Sequence, residues 1–80
     1  MPSAQTTQDH ETIRHWAEER GGRPAVVDGT GGMIRIDFGD RDEDLKPISW
    51  DEFFQHFDES DIKFLYSPEA NNRFNKFVNA

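Results

Sequence analysis

The chain has no cysteine among its 80 residues. That excludes a disulfide framework, a thiolate metal site and a cysteine nucleophile, and it fits a reducing cytoplasm. No apolar run approaches the roughly 20 residues that a membrane-crossing helix needs. The opening stretch, Met1 to Gln8, lacks the basic and apolar regions of a secretory signal, so a cytoplasmic location is expected. Basic residues are scarce too. Nine Lys and Arg face sixteen Asp and Glu, for a net charge of −7. Such a field repels phosphate backbones and argues against nucleic acid as a partner.

The acidity is local. From Asp37 to Asp61, ten acids meet only Arg41 and Lys46, so this segment carries −8 and the remainder +1. It covers a loop and the polar side of the most strongly patterned stretch in the chain, Ile48 to Phe57. There Trp50, Phe53, Phe54 and Phe57 fall at i, i+3, i+4 and i+7, one apolar stripe on a helix. Asp51, Glu52, Gln55, His56 and Asp58 take the other side. Ser49 is the expected N-cap and Glu52 completes a capping box. Ile48 and Phe53 make a hydrophobic staple. The stripe is expected to form most of a small core.

The other segments read as follows. Residues 1–8 offer only the small Pro2 and Ala4 as apolar side chains after Met1 and are expected to be disordered, leaving 9–80 as a single domain. Asp9 caps a first helix, His10 to Arg20, with Ile13, Trp16 and Ala17 on one side and Gly21 and Pro24 ending it. Ala25 to Val27 and Met33 to Phe38 flank the Gly-rich turn 28–32, a hairpin signal. Gly39 to Lys46 reads as a charged loop. Ile62, Phe64 and Tyr66 alternate with Lys63 and Leu65, a further strand. Arg73 to Val78 fits a helix or a strand pairing back on 62–66, and the strand is favoured. The layout α-β-β-α-β-β gives an α+β fold: a small two-layer domain with an antiparallel sheet and the helices packed on one face.

The segment Ile13-Arg14-His15-Trp16-Ala17-Glu18-Glu19-Arg20-Gly21-Gly22-Arg23-Pro24-Ala25 resembles the opening of a family of small bacterial proteins of unknown function. Ile34 to Phe38, Ile48 to Phe54, Phe64 to Tyr66 and Arg73 to Val78 continue the likeness. Members are sometimes labelled 1,4-alpha-glucan branching enzymes. That activity belongs to large proteins whose catalytic barrel alone takes about 250 residues. What the resemblance implies is a compact fold and, as an alternative role, an accessory to glucan metabolism.

Chemistry-bearing patterns are few. His10 and His15 stand at i and i+5, one residue too far apart for the zinc-binding pair of a metalloprotease helix. Asp40, Asp42, Asp44 and Asp51 occupy positions 1, 3, 5 and 12 of an EF-hand-like loop, but Leu45 replaces the turn glycine and Asp51 the bidentate Glu. Weak divalent-cation binding is the most this supports. Gly29-Thr30-Gly31-Gly32 precedes a strand, not a helix N-terminus, and reads as a turn. Trp16 and Trp50 lie on apolar stripes and read as core. Arg14, Arg20 and Arg23 make one small basic patch. No nucleophile and base partner stand out. The expectation is a non-enzymatic interaction module without cofactor or metal. Its partner is a basic protein, and its docking residues are Asp40, Asp42, Glu43, Asp44, Asp51 and Asp58.

Overall fold

The computed structural model describes residues 4–39 and 44–80. In chain order its elements are β1 (Gln5–Thr7), α1 (His10–Glu19), β2 (Arg23–Val27), β3 (Ile34–Asp37), β4 (Leu45–Pro47), α2 (Trp50–Glu59), β5 (Ile62–Tyr66) and β6 (Asn75–Asn79). The expected α-β-β-α-β-β order is present, with β1 added before it and β4 inserted within it.

Both helices start where their caps demand. The Asp9 carboxylate accepts from the Thr12 amide at 3.0 Å. The Ser49 hydroxyl accepts from the Glu52 amide at 3.1 Å. The second half of the expected capping box does not form. The Glu52 carboxylate instead lies 3.9 Å from His56 Nε2, one turn on. α1 ends in a Schellman arrangement. The Gly22 amide donates to the Ala17 carbonyl at 2.8 Å and the Gly21 amide to that of Glu18 at 3.2 Å. Gly21 sits at φ 74°, a conformation its missing Cβ makes cheap.

The strands form two three-stranded antiparallel sheets, ordered β1-β5-β6 and β3-β2-β4. A single sheet was expected. The division falls between β3 and β6, which are edges of different sheets. The hairpin forms as read, with Ala25 opposite Arg35 and Val26 opposite Ile34. The C-terminal segment is the favoured strand, β6, with Phe77 opposite Phe64. Two expectations are corrected. Gln5–Thr7, placed in a disordered segment, pairs with β5. Leu45–Pro47, placed in a charged loop and its exit, pairs with β2. In both cases backbone hydrogen bonds to a neighbouring strand supply the order that the side chains do not announce.

Both helices and both sheets meet in one core. It comprises Ile13, Trp16 and Ala17 from α1, Phe53 and Phe57 from α2, Ile34 and Ile36 from β3, and Phe64 from β5. The β3 alternation is as expected, with Ile34 and Ile36 buried and Arg35 and Asp37 on the other side. The aromatic stripe of α2 is only half internal. Phe53 and Phe57 are buried, while Trp50 and Phe54 are half-buried at the margin.

Candidate functional site

Of the residues expected to dock a partner, Asp44, Asp51 and Asp58 lie on the surface. Asp40, Asp42 and Glu43 fall outside the described residues. Asp44 leads into β4, and its carbonyl accepts from the Asp28 amide at 2.8 Å, which ties the two strand ends together. Asp51 sits in the first turn of α2 beside Glu52, where the helix N-terminus favours carboxylates. Asp58 lies two turns further along the same side of α2, at i+7 from Asp51, followed by Glu59. All of these side chains are exposed, so they present charge to solvent while Phe53 and Phe57 point inward.

Asp58 is engaged. Its Oδ1 lies 2.8 Å from His10 Nε2 on α1. The same imidazole stacks on Phe54, with ring centres 4.2 Å apart and planes 6° from parallel, and meets the edge of Phe57 at 6.2 Å. His10 therefore covers the part of the α2 stripe that the core leaves open and links the two helices by a polar contact. Sequence spacing sets His10 and His15 too far round the helix to share one ion. The structure sends them apart, His10 toward α2 and His15 to an outer groove. Among the described residues no group of three or more His, Asp or Glu gathers closely enough to hold a metal ion. Leu45, at the glycine position of the EF-hand-like pattern, belongs to β4 and pairs with Val27.

The groove that His15 borders has a volume of about 410 Å³ and runs beside α1, between His15 and Trp16 on one side and Tyr66 and Pro68 on the other. Trp16 forms its floor and is 4% exposed. The indole N–H donates to the Ser67 carbonyl at 2.7 Å, and the Arg20 guanidinium lies 4.5 Å from the ring centre. Phe38, Phe64 and Tyr66 approach it edge-on or tilted. Trp16 is thus a packed core residue, as expected, and offers no free ring face for a sugar. Trp50, expected in the core, is half-buried and packs on Phe53 and Phe54.

Arg20 is the functional-looking side chain that periodicity missed. The sequence reading placed it in a small basic patch with Arg14 and Arg23, which its burial removes it from. It is buried, and its guanidinium donates to three carbonyls: Trp16 at 2.9 Å, Glu69 at 2.6 Å and Asn72 at 2.8 Å. A charged fork that satisfies three carbonyls fixes the β5–β6 connection to α1. Arg14 pairs with Glu18 at 3.6 Å on the surface, so the basic patch read from the sequence is partly neutralised. At the other helix end, bonds from the Thr12 hydroxyl and amide hold the Asp9 carboxyl below its ordinary pKa.

The chain matches no family model, no curated protein and no solved structure. No helix of the described residues is long and apolar enough to cross a membrane.

Proposed function

We propose that the protein is a non-enzymatic interaction module of the cytoplasm that docks a basic segment of a protein partner on its acidic side. The observation that carries this reading is the division of α2. Phe53 and Phe57 close the core, while Asp51, Glu52, Asp58 and Glu59 are turned to solvent, with Asp44 exposed just before β4. The carboxylates belong to the segment that holds −8 of the chain's charge, and that field would steer a basic partner into encounter. Steering raises the on-rate and fades with ionic strength.

The test is affinity capture from native lysate, followed by association kinetics with the protein retained. A variant carrying Asp40→Asn, Asp42→Asn, Glu43→Gln and Asp44→Asn should keep its fold and bind more slowly at low salt. The loss should lie in kon and shrink as NaCl is added. Equal recovery and equal on-rates for the wild type and this variant at low salt would leave the acidic side as a solubility device.

A further inference from the structure

The pairing of the strands fixes which backbone groups are left over. Ser67 donates to the Phe74 carbonyl and Ala80 to that of Asp61, both at 3.2 Å. These bonds set the phase of the β5–β6 ladder, in which Leu65 with Lys76 and Lys63 with Val78 are the hydrogen-bonded pairs. Asn75, Phe77 and Asn79 therefore aim their amides and carbonyls away from β5. In β3 the bond from the Val27 amide to the Met33 carbonyl, 2.8 Å, sets the same phase. Ile34 and Ile36 there aim away from β2. The Ile34 carbonyl is met by Arg35 Nη1 at 2.9 Å.

The two edges share a cleft. Arg35 of β3 lines it opposite Asn75, Lys76 and Phe77 of β6, and its volume is about 260 Å³. At one end the Arg73 guanidinium lies 5.2 Å from the Phe38 ring centre, reaching from the approach to β6 to the residue after β3. Lys76 is exposed. Lys63 lies diagonal to it on the same side of the sheet, and neither forms an ion pair with another described residue. In a chain of net charge −7 this places two cations at the β6 edge, Lys76 on the edge strand and Lys63 on β5 just behind it.

We infer that the β6 edge is a strand-addition site for an extended acidic segment of a partner protein. The added strand pairs with Asn75, Phe77 and Asn79 through main-chain hydrogen bonds, its carboxylates meet Lys76 and Lys63, and an apolar residue on its other side meets the half-buried Phe77 ring. This rests on ladder phase and edge charge, independently of the acidic side of α2. A second copy is a poorer occupant, because each copy brings the same cations to the edge and the same overall negative charge.

The probe is a capped peptide of alternating Glu and Val, titrated into the full-length isotope-labelled protein with amide exchange as the readout. Exchange at Asn75, Phe77 and Asn79 should slow at least tenfold, while Lys76 and Val78, already bonded to β5, change little. Lys76→Glu should weaken binding by up to about fivefold, and a Lys and Val peptide should show the reverse preference. Uniform shifts without selective protection of Asn75, Phe77 and Asn79 would overturn the inference. So would protection that appears without peptide and grows with protein concentration, which would make the occupant a second copy.

Discussion

α1 and α2 are each ten residues long, and each begins with a side-chain oxygen accepting the amide three residues on. Their other sides differ in a way that apolar content does not anticipate. α2 carries four aromatic residues on one stripe, yet only Phe53 and Phe57 are fully enclosed. α1 has a thin stripe of Ile13, Trp16 and Ala17, and it is enclosed, together with most of Arg20. The poorer helix is the more deeply sunk, because its arginine brings its own hydrogen-bond partners inside. The richer helix reaches the surface and borrows His10 from α1 to cover Phe54. Burial here follows what each position can satisfy, not how many rings it offers.

The comparison can be broken first at the phenylalanines. Phe53→Ala should cost about 3–5 kcal/mol, a large share of the roughly 5–15 kcal/mol available to a small domain. Phe54→Ala should cost no more than about half as much, since that ring is half-buried and rests on an imidazole. Equal losses in urea denaturation would place Phe54 inside. Next comes Arg20→Met, which keeps most of the stem and leaves the carbonyls of Trp16, Glu69 and Asn72 without their donor. A loss of about 2–3 kcal/mol is expected, with Arg20→Lys recovering only part of it because a single ammonium cannot reproduce the fork. Full recovery by lysine would show that charge, not geometry, holds the connection.

Ser49→Ala should remove about 1 kcal/mol and lower Tm by roughly 4–8 °C, a smaller effect that tests the shared cap rather than the contrast. The caps also separate by pH. The Asp9 carboxyl sits below its ordinary value because Thr12 bonds its charged form. Its contribution is therefore complete above the unfolded pKa, near 3.8, and is lost as pH falls through the lower folded value. Asp9→Asn should flatten that part of the acid limb of a stability profile, and Ser49→Ala should leave it unchanged. Smallest of all, added NaCl should stabilise the fold modestly by screening the acidic segment over about 10 Å at 0.1 M. A destabilising effect of salt would mean that attraction, not repulsion, dominates there.

Much of this architecture was legible because it rests on local rules. Asp9 and Ser49 are caps by residue type and position, Gly21 ends α1 by its left-handed φ, and the hairpin follows from two β-rich runs around glycines. β1 was not legible. Gln5, Thr6 and Thr7 carry no apolar side chain, and their order comes from a partner strand far along the chain. β4 hid for a related reason: three residues containing Pro47 at the end of an acidic run give neither period nor propensity. The half-exposure of Phe54 and the burial of Arg20 depend on what lies across the interface, His10 in one case and the 67–72 turn in the other. A helical period names a side of a helix and is silent about its cover. The acidic docking residues were legible as charge, and their exposure at Asp44, Asp51 and Asp58 follows from polarity. The basic β6 edge was not legible, because it emerges only from the phase of a ladder.

The register of β1 has a consequence for the order in which the molecule assembles. Gln5 receives the Tyr66 hydroxyl across 61 residues of chain. The β2–β3 hairpin, by contrast, closes over a short turn. Closing the long loop costs more entropy and comes later. α1 and the β2–β3 hairpin close through short-range contacts and can form before β5 is in place. β1 is then among the last elements to find its place, and until β5 is formed Gln5–Thr7 offers an open edge to whatever is nearby. Its all-polar sequence is suited to that wait, because an unpaired strand without apolar side chains has little to drive it into the wrong sheet.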